Sequence, residues 1–126
     1  MTLRFIDTHC HFDFPPFTED EPASIARASQ AGVGRIIVPS ISAARFARVR
    51  ALAEQHEPLY AALGMHPIVI EQHDDRGLAQ LESYLAQRHP KLVAVGEIGL
   101  DLYRNTIANR RCWKRNCGWQ SVTICR

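Results

Sequence analysis

Residues 104–126 contain no aspartate, no glutamate and no histidine. That stretch therefore offers none of the carboxylate or imidazole groups that divalent ions of the zinc, manganese or magnesium type favour. No apolar run approaches the roughly 18 residues needed to cross a bilayer, so no membrane span is expected. The start, MTLRFIDTH, lacks the basic segment followed by an apolar one that marks a secretory leader. The cytoplasm is the expected compartment, and cysteines there stay reduced. Cysteine is scarce before residue 112, where Cys10 stands alone; Cys112, Cys117 and Cys125 share the tail with both tryptophans, Trp113 and Trp119. Their spacing, C-x4-C then C-x7-C, matches no standard zinc pattern.

What is present suits one soluble domain. The chain has 126 residues, 46% apolar and 22% charged, enough for a single core. The formal charge of +2 hides an asymmetry: residues 1–103 carry 9 of the 15 basic residues and all 13 acids, whereas residues 104–126 carry the other 6 basic residues.

The hydrophobic pattern alternates between two periods. LRFIDTH reads as a strand from Leu3 to about Thr8. EDEPASIARASQAGVG reads as a helix, with acids and Pro22 at its start and glycine at its end; Ile25, Ala28, Ser29 and Gly32 are its expected inner face. RIIVPS is a second strand. SAARFARVRALAEQHEP is a helix with Phe46, Val49, Leu52 and Ala53 as its apolar stripe, stopped by Pro58. LYAALGMHP is a third strand and its exit. RGLAQLESYLAQRHP is a third helix, striped by Leu78, Leu81, Tyr84 and Leu85, and KLVAVGEIGLD is a fourth strand. The order β-α-β-α-β-α-β, with strands about thirty residues apart, predicts a parallel α/β sheet covered by helices. The continuous apolar character of RIIV and LVAV predicts strands buried on both faces.

After Tyr103 neither period continues. The basic tail with its aromatics has the composition of a nucleic-acid arm. A different origin is expected, however. CWKRNCGWQSVTIC can be encoded so that a neighbouring reading frame gives LLEEKLRLAKRYDL, an amphipathic helix leading into a strand. Residues 104–126 are accordingly expected to be frameshift-derived or disordered, a point that the nucleotide sequence decides.

In parallel α/β folds ligands gather at the carboxyl ends of strands. His9 and His11 follow the first strand and, one residue apart, share a face, while Cys10 points the other way. Ser40 and Ser42 follow the second strand, His66 the third, and Glu97 and Asp101 the fourth. H-x-H alone fits either a ligand pair or the polar end of a strand. The recurrence of ionisable groups at one end of successive strands favours ligands, and imidazole with carboxylate suits zinc, manganese or a similar ion. A carboxylate bridging two such ions would make a hydrolytic two-metal site. The remaining polar residues have structural readings. Asp7 and Asp13 suit turns or caps, Asp101 can pair with Arg104, and His66 can cap the segment that follows it. His56 and His89 lie at helix ends, where the dipole favours them. His73 is expected to be solvated, and Cys10 packed.

FIDTHCHFD, LGMHP and AVGEIGLDLY together resemble the TatD family of metal-dependent deoxyribonucleases, among the amidohydrolase-like barrels. The resemblance covers residues 3–103. It implies the first half of a TIM-type (β/α)8 barrel over residues 1–103, followed by a non-family tail at 104–126. It also implies two divalent ions (Zn, Mg or Mn), with His9 and His11 ligating one and Glu97, the catalytic residue, bridging both. His66 and Asp101 would contact substrate. The implied reaction is hydrolysis of a DNA phosphodiester by a two-metal-activated water, on single strands or 3′ ends. A complete barrel of this kind has eight strands and about 250 residues, and the family's later ligands, two histidines and an aspartate, have no counterpart here. The complementing C-terminal half is absent, so the chain alone is expected to be poorly stable and inactive. Three other readings remain open: a non-enzymatic fragment, a nucleic-acid-binding product, and a different amidohydrolase acting on an amide or lactone.

Overall fold

The computed structural model describes residues 4–101; the tail at 104–126, with its cysteines and tryptophans, lies outside them. Four strands form one sheet in the order β1-β2-β3-β4: β1 (Phe5–Asp7), β2 (Val33–Pro39), β3 (Leu59–Leu63) and β4 (Leu92–Val95). Every neighbouring pair is parallel, with Ile36 opposite Leu59, and Leu63 opposite Val95. Helices α1 (Glu21–Gln30), α2 (Phe46–Gln55) and α3 (Asp75–Ala86) fill the three crossovers. The four expected strands and three expected helices are thus all present, in the expected order.

Local chemistry sets the helix ends. Asp20 precedes α1 and its carboxylate accepts the Ala23 N–H, with Pro22 in the first turn where its missing N–H costs nothing. Asp74 caps α3 in the same way through the Gly77 N–H. Chain reversal after α1 passes through Gly32 at φ 88°, a conformation only glycine adopts freely.

The core lies between the helices and one sheet face. Phe46, Val49, Leu52 and Ala53 of α2 meet Ile36 and Val38 of β2, Leu59, Ala61 and Leu63 of β3, and Leu78 and Leu81 of α3. These helix stripes are the ones expected from sequence. In α1 the expectation fails in part, because Ser29 is exposed and Ser24 is buried. The Ser24 hydroxyl bonds the Phe17 carbonyl, which lets a polar residue occupy the inner face.

The expectation of strands buried on both faces is also corrected. Burial alternates along β2, with Ile36 and Val38 buried but Arg35 exposed, and on β4 both Val93 and Ala94 are exposed. The core-forming helices pack on one face only, so the second face has no cover among the described residues. The edges are open too: Phe5 and Ile6 of β1 are 67% and 54% exposed.

Outside the sheet, Glu21 of α1 accepts from Arg48 of α2 and pairs at 2.8 Å with His56 at the end of α2. His56 therefore has the structural role expected of it. The His56 hydrogen bond is the main influence holding the Glu21 carboxyl below its ordinary value of 4.5; burial opposes it and Arg48 adds to it. A carboxyl whose value falls on folding stabilises the fold above its unfolded value and loses that contribution as pH drops through the folded one. Stability should therefore hold from neutral pH to about 5 and decline below 4.5. Urea melts across this range should show a shallower decline for Glu21→Gln, and parallel curves for the two proteins would refute the assignment.

Candidate metal centre

The carboxyl ends of the two outermost strands converge. β1 leads into His9 and His11, and the Asp7 carboxylate accepts the His9 N–H at 3.0 Å, closing the turn that presents them. β4 leads into Glu97. His9 Nε2 lies 3.6 Å from Glu97 Oε2, and His11 Nε2 lies 3.1 Å from the same oxygen. Ligand atoms of all three residues fall within 4.8 Å of one another. Two ligand atoms each about 2.1 Å from one ion stand about 3.0–3.5 Å apart, which the two histidine–Glu97 distances approximate.

Glu97 Oε2 is buried yet makes no hydrogen bond of acceptable geometry, even with His11 Nε2 so close; His11 Nδ1 is likewise buried and unpartnered. Burying an unsatisfied carboxylate oxygen is costly. The close approach of His11 Nε2 to Glu97 Oε2 is thus not a hydrogen bond, which leaves that oxygen free to face a cation. The donor set, two imidazoles and a carboxylate, fits a divalent ion of the zinc or manganese type.

The other Glu97 oxygen faces a different side. Oε1 lies 3.1 Å from Nε2 of His66. The Ile68 N–H donates to Nδ1 of His66 at 2.9 Å, so Nδ1 acts as an acceptor and, in the neutral ring, the proton sits on Nε2. His66 thus caps the 3-10 turn Pro67–Gln72 and also reaches the centre. Glu97 spans the cluster, with two histidines at one oxygen and a third at the other. Asp101 is half-buried at the end of the described chain and is not one of the three converging groups; its pairing with Arg104 lies outside the described residues.

The surroundings brace the rings. The His11 ring packs edge-on to Phe14 at 6.2 Å. Arg45 lies over the Phe14 ring, 4.2 Å from its centre, and pairs with the buried Asp13 at 2.8 Å. Asp13 is therefore an ion-pair anchor rather than a cap. His73, expected to be solvated, is corrected: its Nε2 lies 2.7 Å from the His66 carbonyl, and burial lowers its proton affinity. Cys10 packs against the core, and burial, with Asp7 and Asp13 nearby, raises the thiol's value, which disfavours the thiolate.

The parallel α/β sheet carries a histidine–glutamate cluster at its carboxyl end, and the chain belongs to the TatD-related DNase family, whose model matches residues 6–115. Among its relatives is YjjV of Escherichia coli K12, described as an uncharacterized metal-dependent hydrolase. It is 65% identical over 103 residues, which is 82% of this chain and 40% of YjjV. The crystal structure of YjjV, a TatD homologue, superposes with a TM-score of 0.89 and 55% identity over 94% of this chain and 47% of that one. A 3′-5′ ssDNA/RNA exonuclease TatD from Edwardsiella piscicida is 37% identical over 90 residues, 71% of this chain and 34% of the exonuclease. The chain thus spans less than half the length of these relatives. Among the described residues no helix is long and apolar enough to cross a membrane.

Proposed function

We propose that this chain is the N-terminal half of a metal-dependent hydrolase acting on DNA phosphodiesters, with His9, His11 and Glu97 holding a divalent ion and Glu97 shared with a second. The observation that carries this reading is the buried Glu97 Oε2, left without a hydrogen bond between two imidazole nitrogens. The opposite outlook of Oε1 supports a bridging role. When bound, such ions supply Lewis acidity toward phosphodiester oxygens. His66 contributes an N–H that can donate to a phosphate oxygen once substrate displaces it from Glu97. Asp101 is proposed to support substrate from the same strand end. Single-stranded or 3′-ended DNA is the proposed substrate, in line with the exonuclease named among the relatives.

Residues 1–103 are proposed as the family portion and 104–126 as an unrelated tail. In support, the 65% identity to YjjV covers 103 residues, 82% of the chain, whereas the family model runs to residue 115. Beyond Asp101 the sequence supplies no further His, Asp or Glu. The isolated chain should therefore bind an ion yet turn over little or no DNA. Calorimetric titration with Zn²⁺ or Mn²⁺ should show about one equivalent bound, with His9→Ala and His11→Ala each weakening it by more than about 100-fold, beyond the 10–100-fold typical of outer-sphere partners. Absence of binding by the unaltered chain would overturn the metal reading. Robust hydrolysis of single-stranded DNA by the 126 residues would overturn the inactivity.

A further inference from the structure

We infer that Ser40 is a positioning residue for the cation site, acting through Gly64 and Glu97; this rests on the metal reading above. Ser40 is fully buried at the exit of β2. Its hydroxyl donates to the Gly64 carbonyl at 2.9 Å and accepts the Gly64 N–H at 2.9 Å. Its backbone N–H donates to the Ala62 carbonyl and its carbonyl accepts the Glu97 N–H, both at 2.9 Å. Every polar group of this serine is engaged: three of the bonds join the exit of β2 to that of β3, and the fourth joins it to Glu97 beyond β4.

The neighbouring backbone extends the pattern. The Cys10 N–H, between the two histidines, donates to the Ile37 carbonyl, and the His66 N–H donates to the Ile41 carbonyl. The segments bearing His9 and His11, His66, and Glu97 therefore all hang on the stretch from Ile37 to Ile41. Within it the Ser40 side chain is the group that fastens β3. A Cβ at Gly64 would lie 2.6 Å from the Glu97 carbonyl oxygen, so Glu97 rests directly on the residue that the hydroxyl holds. Removing the hydroxyl leaves two buried Gly64 groups unsatisfied and frees Gly64 to shift against Glu97. Partners that orient ligands in this way typically matter 10–100-fold for metal affinity.

The experiment compares the full chain with Ser40→Ala, Ser40→Thr and Ser42→Ala. Ser42 is a buried serine on the same loop whose hydroxyl caps nothing. Amide hydrogen exchange without metal reads the positioning directly. Ser40→Ala should speed exchange at Gly64 and Glu97 by more than about tenfold, while amides in α1 and the middle of α2 hold. Zn²⁺ affinity, by calorimetry, should fall about 10–100-fold in Ser40→Ala, recover in Ser40→Thr, which keeps the hydroxyl, and stay within about twofold in Ser42→Ala. Unchanged exchange at Glu97 overturns the inference, whatever the metal result. Faster exchange with unaltered Zn²⁺ affinity also overturns it, reducing Ser40 to a structural bond. Failure of the unaltered chain to bind Zn²⁺ sinks the metal reading instead, and the exchange data then judge whether Ser40 positions Glu97.

Discussion

Glu97→Gln should lose metal binding by more than about 100-fold while the metal-free chain melts at the same temperature or higher. The first half of this expectation follows from the place of Glu97 between three histidines, at 3.1–3.6 Å. The amide keeps the shape but not the charge, and it cannot bridge two cations. Loss of a direct ligand should exceed the 10–100-fold cost of losing a group that only orients one. The second half follows from Oε2, which is buried and unbonded. A carboxylate there burdens the free fold, since burial without a partner is unfavourable, and a neutral amide relieves it. Residues kept for function commonly have this signature. Calorimetric titration and thermal melts of the two proteins test both halves. A variant that melts well below the parent would show Glu97 to be a structural ion-pair partner, and retained affinity would remove it from the ligand set.

Gly64→Ala should be the most damaging methyl in the described chain. Its Cβ would stand 2.6 Å from the Glu97 oxygen, 2.7 Å from the Gly96 carbonyl carbon and 3.0 Å from the Glu97 nitrogen. All three are backbone atoms, so no side chain can turn aside and the strand ends must separate. Overpacking of this kind costs about 1–3 kcal/mol and sometimes more; with main chain on the receiving side, about 3 kcal/mol is expected. Metal affinity should fall with it, because the displaced backbone carries Glu97, the proposed ligand. Gly96→Ala is the matched control, since its Cβ would meet only the Ala62 Cβ at 3.7 Å. Urea unfolding of both variants gives the comparison, and equal midpoints would refute the close approach.

How much of this was legible in the sequence depended on the range over which each feature acts. The helix stripes of α2 and α3 and the strand order were readable because they repeat over a few residues. His9, His11 and Glu97 were readable as candidates because a parallel sheet collects its strand ends on one side, which converts positions far apart in sequence into neighbours. His66 caps its turn as expected, and its ring lies beside Glu97. The misses involve partners chosen by packing. Ser24 replaces Ser29 on the inner face of α1 because the Phe17 carbonyl lies within reach. His73 folds back on the His66 carbonyl, and Asp13 finds Arg45, 32 residues on. Ser40 was visible only as a polar residue after a strand, and the demand for glycine at 64 has no local signal. It arises where the exit of β3 touches that of β4.

The position of the ligands within the sheet has a mechanical consequence. Strands lie about 4.8 Å apart, so three steps would separate the first and last of a flat four-stranded sheet by about 14 Å. Here side chains following those two margins meet within 3.1 Å. An ion held between them would rivet the two margins together and hold the curl of the ribbon. Uptake of the ion and completion of folding would then form one linked equilibrium, in which a chelator acts as a denaturant.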